Sequence, residues 1–383
     1  MTLTPIRTRR IAAAPALVCV AMLGLAACGS SGGHSGSGSA GTTGSAGTGS
    51  SATTSAFTCP TSTSGSWSPT TPAPTTPLAT TSAGGSVNLV AYSVPKPAYD
   101  KLTTAFQKTA GGKGVTFKAS YGPSGSQEKA VAAGQKADYV GFSVGSDMNK
   151  LVPSKVAATW NSGATKGIIS DSVVVIAVRP GNPKHICGWD DLVKSGVKIV
   201  TPDPASSGSA KWNILAAYEH VLQTGGTEAQ AKAYLAKFYK NVIVRAASGA
   251  VATQQFLSGQ GDALISYENE AIDARQAGEK LDYVVPAQSF LIENPAAVTK
   301  GASKSAANFL AYAQSSAGQT IFAQTGFRPV IAGINPGTVQ GANSPSNPFP
   351  NPEKLMTIAQ LGGWSKVNDE FFGDNGIVTK IEG

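Results

Sequence analysis

Runs of lysine or arginine are missing from this 383-residue chain. Its 30 basic and 22 acidic residues leave a formal charge of +8, and three of the positive charges, Arg7, Arg9 and Arg10, stand at the extreme N-terminus. The others are scattered, whereas a nucleic-acid surface gathers them into a patch or along one helix face. Nucleic acid is therefore not an expected partner. Histidine is scarce as well. His34 lies in a Gly/Ser-rich stretch, and His185 and His220 have no metal-ligand spacing, so neither a metal nor another cofactor is implied.

Long apolar runs are lacking too. The one near the start, "IAAAPALVCVAMLGLAAC" (11–28), is too short and Ala-rich to read as a membrane span. Behind an Arg-rich start and ending in Leu25-Ala26-Ala27-Cys28, it reads instead as a bacterial lipoprotein export signal. Residues 1–27 are then removed, and Cys28 becomes a lipidated N-terminus anchored at the outer face of the membrane. Only four cysteines are present, which excludes a disulfide-dense scaffold. With Cys19 lost and Cys28 lipidated, Cys59 and Cys187 remain. They either pair, stapling the N-terminal segment to the folded domain, or leave Cys187 as a buried thiol.

Residues 28–85 are mostly Gly, Ser, Thr, Ala and Pro and almost uncharged. Such a stretch cannot bury enough apolar surface to offset its ordering entropy and is expected to be a tether, with a local docking contact around Phe57, Cys59 and Trp67. No repeat of fixed period follows. From residue 86, short β-branched runs alternate with amphipathic stretches. Strands are expected at 87–92, 115–120, 138–143, 172–178, 197–202, 241–246, 262–267 and 281–286. Helices are expected within "PAYDKLTTAFQKT", "SQEKAVAAGQ", "WNILAAYEHVLQ" and "TEAQAKAYLAKFYKN". Alternating β and α with near-continuous apolar strands indicates mostly parallel sheets flanked by helices. About 290 residues exceed one ordinary α/β lobe, so two lobes are expected.

What stands at the strand-to-helix turns is more informative. Ser93 follows the first strand, Ser124 and Ser126 the second, Ser206-Ser207-Gly208-Ser209 the fifth, and Ser248-Gly249-Ala250 the sixth. Serine and glycine are ordinary capping and turn residues. Four such junctions, one with three serines, also suit an anion, because a helix N-terminus offers unpaired N–H groups and a partial positive charge. Ligands of open α/β sheets bind outside the carboxyl ends of the strands, where these turns lie.

"RPGNPKHICGWDDLVKSGVKIVTPDPASSGSAKWNILAAY" (179–218), "GDALISYENEA" (261–271) and "SAGQTIFAQTGFRPV" (316–330) resemble signature blocks of the sulfate/thiosulfate-binding proteins of ABC importers. The resemblance covers about 86–373. It implies a two-lobe periplasmic-binding-protein-like fold, with lobe 1 formed by 86–175 plus 287–383 and lobe 2 by 176–286. One dehydrated oxyanion is held in the cleft, and a permease is the partner of a monomeric binder. Carried over by position, Ser124 supplies a hydroxyl, Ser207, Gly208 and Ser209 supply backbone N–H groups, and Ala250 supplies another. Ser93 stands where the family has aspartate contributing through its main chain, and Tyr267 where it has a tryptophan whose indole N–H touches the ligand. Lys211 replaces an arginine, and the segment around Ala250 is about two residues shorter than usual. A phenol both donates and accepts, so Tyr267 widens the candidates to molybdate or another tetrahedral oxyanion.

Two other classes compete. "SQEK" (Ser126 to Lys129) matches the Ser-x-x-Lys pattern of an exported Ser-dependent hydrolase, but no Lys-Thr-Gly partner accompanies it. Glu268 and Glu270 could pass for paired catalytic carboxylates, although solvated or helix-capping acids are the expectation. A wall-associated adhesive lipoprotein would explain the tether but not the four junctions.

Overall fold

Near-continuous apolar runs become buried strands in the computed structural model, which describes residues 59–60 and 63–382. The export signal, Cys28 and Phe57 lie outside the described residues. The strands are β1 Thr63–Ser66, β2 Ser86–Tyr92, β3 Thr116–Gly122, β4 Tyr139–Gly141, β5 Ile168–Val178 and β6 Ile199–Pro202. They continue with β7 Val242–Ala246, β8 Ala263–Tyr267, β9 Asp282–Val284, β10 Gln288–Val298, β11 Pro350–Pro352 and β12 Lys354–Met356. All eight expected strands are present.

The main sheet runs β3-β2-β4-β10-β5-β8-β6-β7, with β9 beside β5 and β12 beside β10. β2 pairs parallel with β3 and β4, and β6 pairs parallel with β7 and β8. Between these two parallel triads lie the 11-residue strands β5 and β10, antiparallel to each other. β10 meets β4 and β5 meets β8 in antiparallel register, so the two triads run in opposite senses. This is the two-lobe α/β architecture, with two long strands crossing between the lobes.

β10 is the element the residue pattern hid. Its sequence "QSFLIENPAAV" carries Glu293, Asn294 and Pro295 in the middle, a combination that reads as a turn. The ladder accommodates proline at an irregularity between Asn294 and Pro295, where a missing N–H is tolerated.

The helix Gly208–Gln223 is largely apolar and is buried from Gly208 to His220 except at Lys211, as a helix packed within a core must be. On the other lobe, Phe106 and Phe309 meet edge-on with ring centroids 5.5 Å apart, and Tyr99 meets Tyr139 in the same way at 5.7 Å.

The Thr/Pro-rich segment is docked rather than loose from Thr63 onward. β1 pairs with β11. Trp67 donates its backbone N–H to Phe349 O and its indole N–H to Pro329 O, both at 2.8 Å. Ala332 N–H donates to Thr71 O at 2.7 Å. Cys59 and Cys187 form a disulfide, with Cα atoms 5.3 Å apart.

Candidate functional site

The carboxyl ends of the two strand triads meet, and small polar residues fill the meeting point. Ser143, just past β4, places its Oγ 2.7 Å from the hydroxyl of Tyr267 at the end of β8. Its carbonyl accepts from the indole N–H of Trp212 at 2.9 Å and from Asn294 Nδ2 at 3.0 Å. Its own N–H donates to Ser124 Oγ at 3.0 Å. Ser143 is fully buried. It therefore joins five elements, from β4, β10 and the helix Ser124–Ala132 on one side to the helix Gly208–Gln223 and β8 on the other.

Gly208 is the first residue of that long helix, and it packs face to face with this knot. A side-chain carbon on Gly208 would lie 2.7 Å from both Cβ and Oγ of Ser143, too close for any other residue to fit unchanged. Gly249 opens the helix Gly249–Leu257 under similar crowding. A carbon there would stand 3.0 Å from both Ser209 Oγ and a Glu270 carboxylate oxygen, and 3.1 Å from Val94. The turn before Gly208 ties three junctions together. Ser206 O accepts from Gly125 N–H at 3.1 Å, Ser206 Oγ donates to Ala247 O at 2.8 Å, and Asp203 N–H donates to Ala246 O at 2.7 Å.

Gly208, Ser209, Ser124 and Tyr267 are thus gathered at one buried place. Ser207 is buried beside them, but its N–H is committed to Asp203 O at 2.8 Å within the turn. The helix-start donors next to Ser143 are those of Gly208 and Ser209. Ser124 is also engaged: besides accepting from Ser143, it donates to Asp147 Oδ2 at 2.7 Å. Ser93 is half-buried at the end of β2, and the next helix begins only at Lys96. Its neighbour Val94 is the residue that reaches Gly249. Ala250 is half-buried one position beyond Gly249, while Ser248 Oγ caps Val251 N–H at 3.3 Å. Lys211 turns away, donating to Asn368 Oδ1 at 2.9 Å with its ammonium over the Phe372 ring. Burial lowers its pKa, while Asp147 acts in the opposite direction.

Residue patterns missed Ser143, Asn294 and Trp212 as parts of one cluster. Ser143 ends an expected strand and is followed by Val144-Gly145-Ser146 and a helix from Gly145, a Ser/Gly junction not counted with the other four, and Asn294 sits on the unrecognised β10. The acids of "YENEA" are not solvated. Glu268 is fully buried in a bidentate pair with Arg328, whose Nε and Nη2 donate at 2.7 and 3.1 Å. Glu270 is buried among hydroxyls, accepting from Ser266 Oγ at 2.8 Å and Thr253 Oγ1 at 3.1 Å. They are buried because their helix starts at the inner end of β8 rather than at the surface. Burial pushes Glu270 up to about 7, against the opposing effect of those two hydrogen bonds. Burial likewise raises the Tyr267 phenol, with its contacts to Ser143 and Ser209 acting the other way.

Among the described residues no group of three His, Cys, Asp or Glu is arranged to hold a metal ion. His220 lies elsewhere, bonded through Nδ1 to Gln288 and through Nε2 to Asp190, each at 3.1 Å. Ser126 and Lys129 are both exposed on their helix, without the desolvation that activates a nucleophile. No described helix is long and apolar enough to cross a membrane.

A family model for bacterial extracellular solute-binding proteins matches residues 87–328. A sulfate-binding protein from Synechococcus elongatus is 40% identical over 79% of this chain and 89% of its own length. A thiosulfate-binding protein from Pseudomonas aeruginosa is 33% identical over 76% of this chain and 90% of its own. The solved sulfate-binding protein SubI from Mycobacterium tuberculosis superposes with a TM-score of 0.69 at 43% identity, covering 75% of this chain and 99% of that one. The chain belongs to the sulfate/thiosulfate-binding protein family of bacterial extracellular solute-binding proteins.

Proposed function

We propose that this protein captures sulfate outside the cytoplasmic membrane and delivers it to an ABC importer permease. The observation that carries the reading is the buried meeting of Gly208, Ser209, Ser124 and Tyr267 around Ser143, a place rich in N–H and hydroxyl donors, where the nearby lysine, Lys150, is occupied by Asp147 and Glu128. Sulfate near neutral pH offers only acceptors, so uncharged donors at helix starts can hold it and still release it. In this reading the backbone N–H groups of Gly208 and Ser209 are the principal ligands. Tyr267 closes the site, Ser124 contributes once its hydroxyl leaves Asp147, and Ser93 and Ala250 contribute through their main chains. Lobes of 86–175 plus 287–383 and 176–286 close about the crossing strands β5 and β10. Residues 1–27 serve as export signal, Cys28 carries the lipid anchor, and the binder acts as a monomer without cofactor or catalysis. Thiosulfate shares the chemistry. Molybdate, another tetrahedral dianion that offers only acceptors near neutral pH, is the second candidate ligand.

Calorimetry with a panel of oxyanions tests this. One sulfate should bind per chain, with phosphate much weaker at neutral pH; equal affinity for the two would refute a donor-only site. Gly208→Ala should weaken sulfate at least about tenfold and also lower the melting temperature, because the added carbon meets buried Ser143. No thermal shift with any oxyanion would return the chain to a structural or adhesive role.

A further inference from the structure

The chain enters its folded part by a route that touches both lobes. Cys59 is bonded to Cys187 of lobe 2. β1 follows and pairs with β11, while Ser66 Oγ donates to Asn347 Oδ1 at 2.7 Å and Ser66 O accepts from Asn351 Nδ2 at 3.0 Å. The stretch before β11 lies against lobe 2. Gln276 Nε2 donates to Gln340 O at 2.9 Å, and Asn343 donates through its backbone N–H and its Nδ2 to the hydroxyl and carbonyl of Tyr283, each at 3.0 Å. Trp67 comes next. Its indole reaches Pro329, beside Arg328, whose backbone is bridged to Asp171 on the crossing strand β5. Past the crossing strands the segment lies on lobe 1. Pro74 and Thr76 border a cavity of about 140 Å³ together with Leu310 and Ala311 of the helix Lys304–Gln314. Ala79 packs on Gly111 so closely that a side-chain carbon there would stand 2.8 Å from Ala79 Cβ. Gly84 O accepts from Ser305 Oγ at 2.7 Å.

This segment has little length to give. Residues 67–79 contain neither helix nor strand and include Pro69, Pro72, Pro74 and Pro77. Proline holds such a run near polyproline geometry, about 3.1 Å per residue against a limit of about 3.3–3.6 Å. Its far end, in addition, is held covalently. A cavity of about 570 Å³ is lined by Cys59, Pro60 and Thr63 on one side and by Val284 and Asn343 on another, so this end keeps its place on lobe 2 through the disulfide more than through packing.

The lobes are closed, with Ser143 Oγ 2.7 Å from the Tyr267 hydroxyl, and the segment is docked on both. Parting the lobes displaces Cys187 relative to Gly111 and Ser305. A strap that can neither stretch nor let go of Cys187 then gives up contacts of Trp67, Thr71 or β1. It re-forms them on closure at high effective concentration. We propose that residues 59–85 are a third connection between the lobes, a disulfide-anchored strap that favours the closed arrangement and so strengthens the hold on the anion. The proposal rests on the oxyanion reading above and deepens it. Apparent affinity rises with the fraction of molecules already competent to bind, so the strap acts without touching the anion.

Calorimetry and small-angle scattering on the full chain, with and without sulfate, test this. Cys59→Ser combined with Cys187→Ser frees the far end. A second variant, Pro69→Gly, Pro72→Gly, Pro74→Gly and Pro77→Gly together, keeps the disulfide and makes the strap extensible. The cysteine pair should weaken sulfate about fivefold, the low end of couplings between distant sites, and the glycine variant by a smaller factor. Both should contract more than the wild type when sulfate binds, because their ligand-free lobes part further while the bound form is unchanged. Loss of the disulfide lowers the melting temperature under any reading, so affinity and contraction are the readouts that decide. If the cysteine pair does not fold, the glycine variant decides by the same two. Either change without the other, or neither, overturns the proposal while leaving the oxyanion reading standing. A wild type that binds no oxyanion overturns both.

Discussion

Glu268 and Glu270 lie two residues apart on the first turn of one helix, both buried, yet their surroundings differ in kind. Glu268 faces the crossing-strand side, where Arg328 grips it with two nitrogens and also donates to Pro350 O at 2.7 Å. Arg328 itself exchanges backbone hydrogen bonds with Asp171 on β5, at 2.8 and 3.0 Å, under the rings of Trp67 and Phe349. Glu270 faces the candidate site, where hydroxyls and helix starts replace charge. A full ion pair serves where parts of the chain must stay together permanently. Uncharged donors serve where a group must enter and leave, because a fixed cation would bind an anion without releasing it.

The largest effect that could break this comparison is removal of the guanidinium. Arg328→Met leaves Glu268 buried and unpaired, and should lower unfolding free energy by about 3–5 kcal/mol. The denaturant midpoint at constant m-value is the measurement. If Glu270→Gln cost as much at neutral pH, the two carboxylates would be structural equivalents and the contrast would vanish.

A smaller effect separates them by pH. Glu270 has a folded value of about 7 against an unfolded value near 4.3. A raised carboxylate favours the folded state at low pH, so this contribution is complete below about pH 4 and is lost as pH rises through about 7. The ligand-free protein should therefore lose roughly 3 kcal/mol across that window relative to Glu270→Gln. Denaturant titrations of both proteins at several pH values measure the difference. Identical pH profiles would mean that Glu270 is solvated when the lobes are open, and that its burial belongs to the closed arrangement alone.

The same contrast explains what the sequence made legible. Strands such as "SVVVIAV" and helices such as "WNILAAYEHVLQ" declare themselves by apolar pattern, so the α/β class and all eight expected strands could be read directly. Gly208 and Ser209 could be read as site candidates because four junctions repeat one chemistry. Ser143 could not: its role arises from contacts with Ser124, Trp212, Tyr267 and Asn294, which are 19 to 151 residues distant in the chain. Asn294 was hidden because a strand carrying Glu-Asn-Pro departs from β propensity. The acids at 268 and 270 were read as solvated or helix-capping; they do stand in a first helical turn, but their burial was missed because composition carries no sign of it. The segment from Thr63 to Gly85 reads as a tether with a local docking contact at Trp67; besides the Trp67 indole it is held through backbone groups of Trp67, Thr71 and β1, contacts that composition does not announce.

The smallest effect bears on the uncharged side alone. Tyr267→Phe keeps the buried ring and removes only the hydroxyl 2.7 Å from Ser143 Oγ. One neutral hydrogen bond contributes about 1 kcal/mol, so stability should change little. Sulfate affinity should fall about fivefold, because Ser143 loses its partner and the site loses a donor. Molybdate should weaken by a similar factor, since it too offers only acceptors and loses the same donor. Calorimetry with both anions reads the ratio. A loss of stability approaching that of Arg328→Met, with affinity unchanged, would place Tyr267 on the permanent side of the comparison. It would then act with Arg328 to hold the chain together, and Ser143, Gly208 and Ser209 would carry the anion without it.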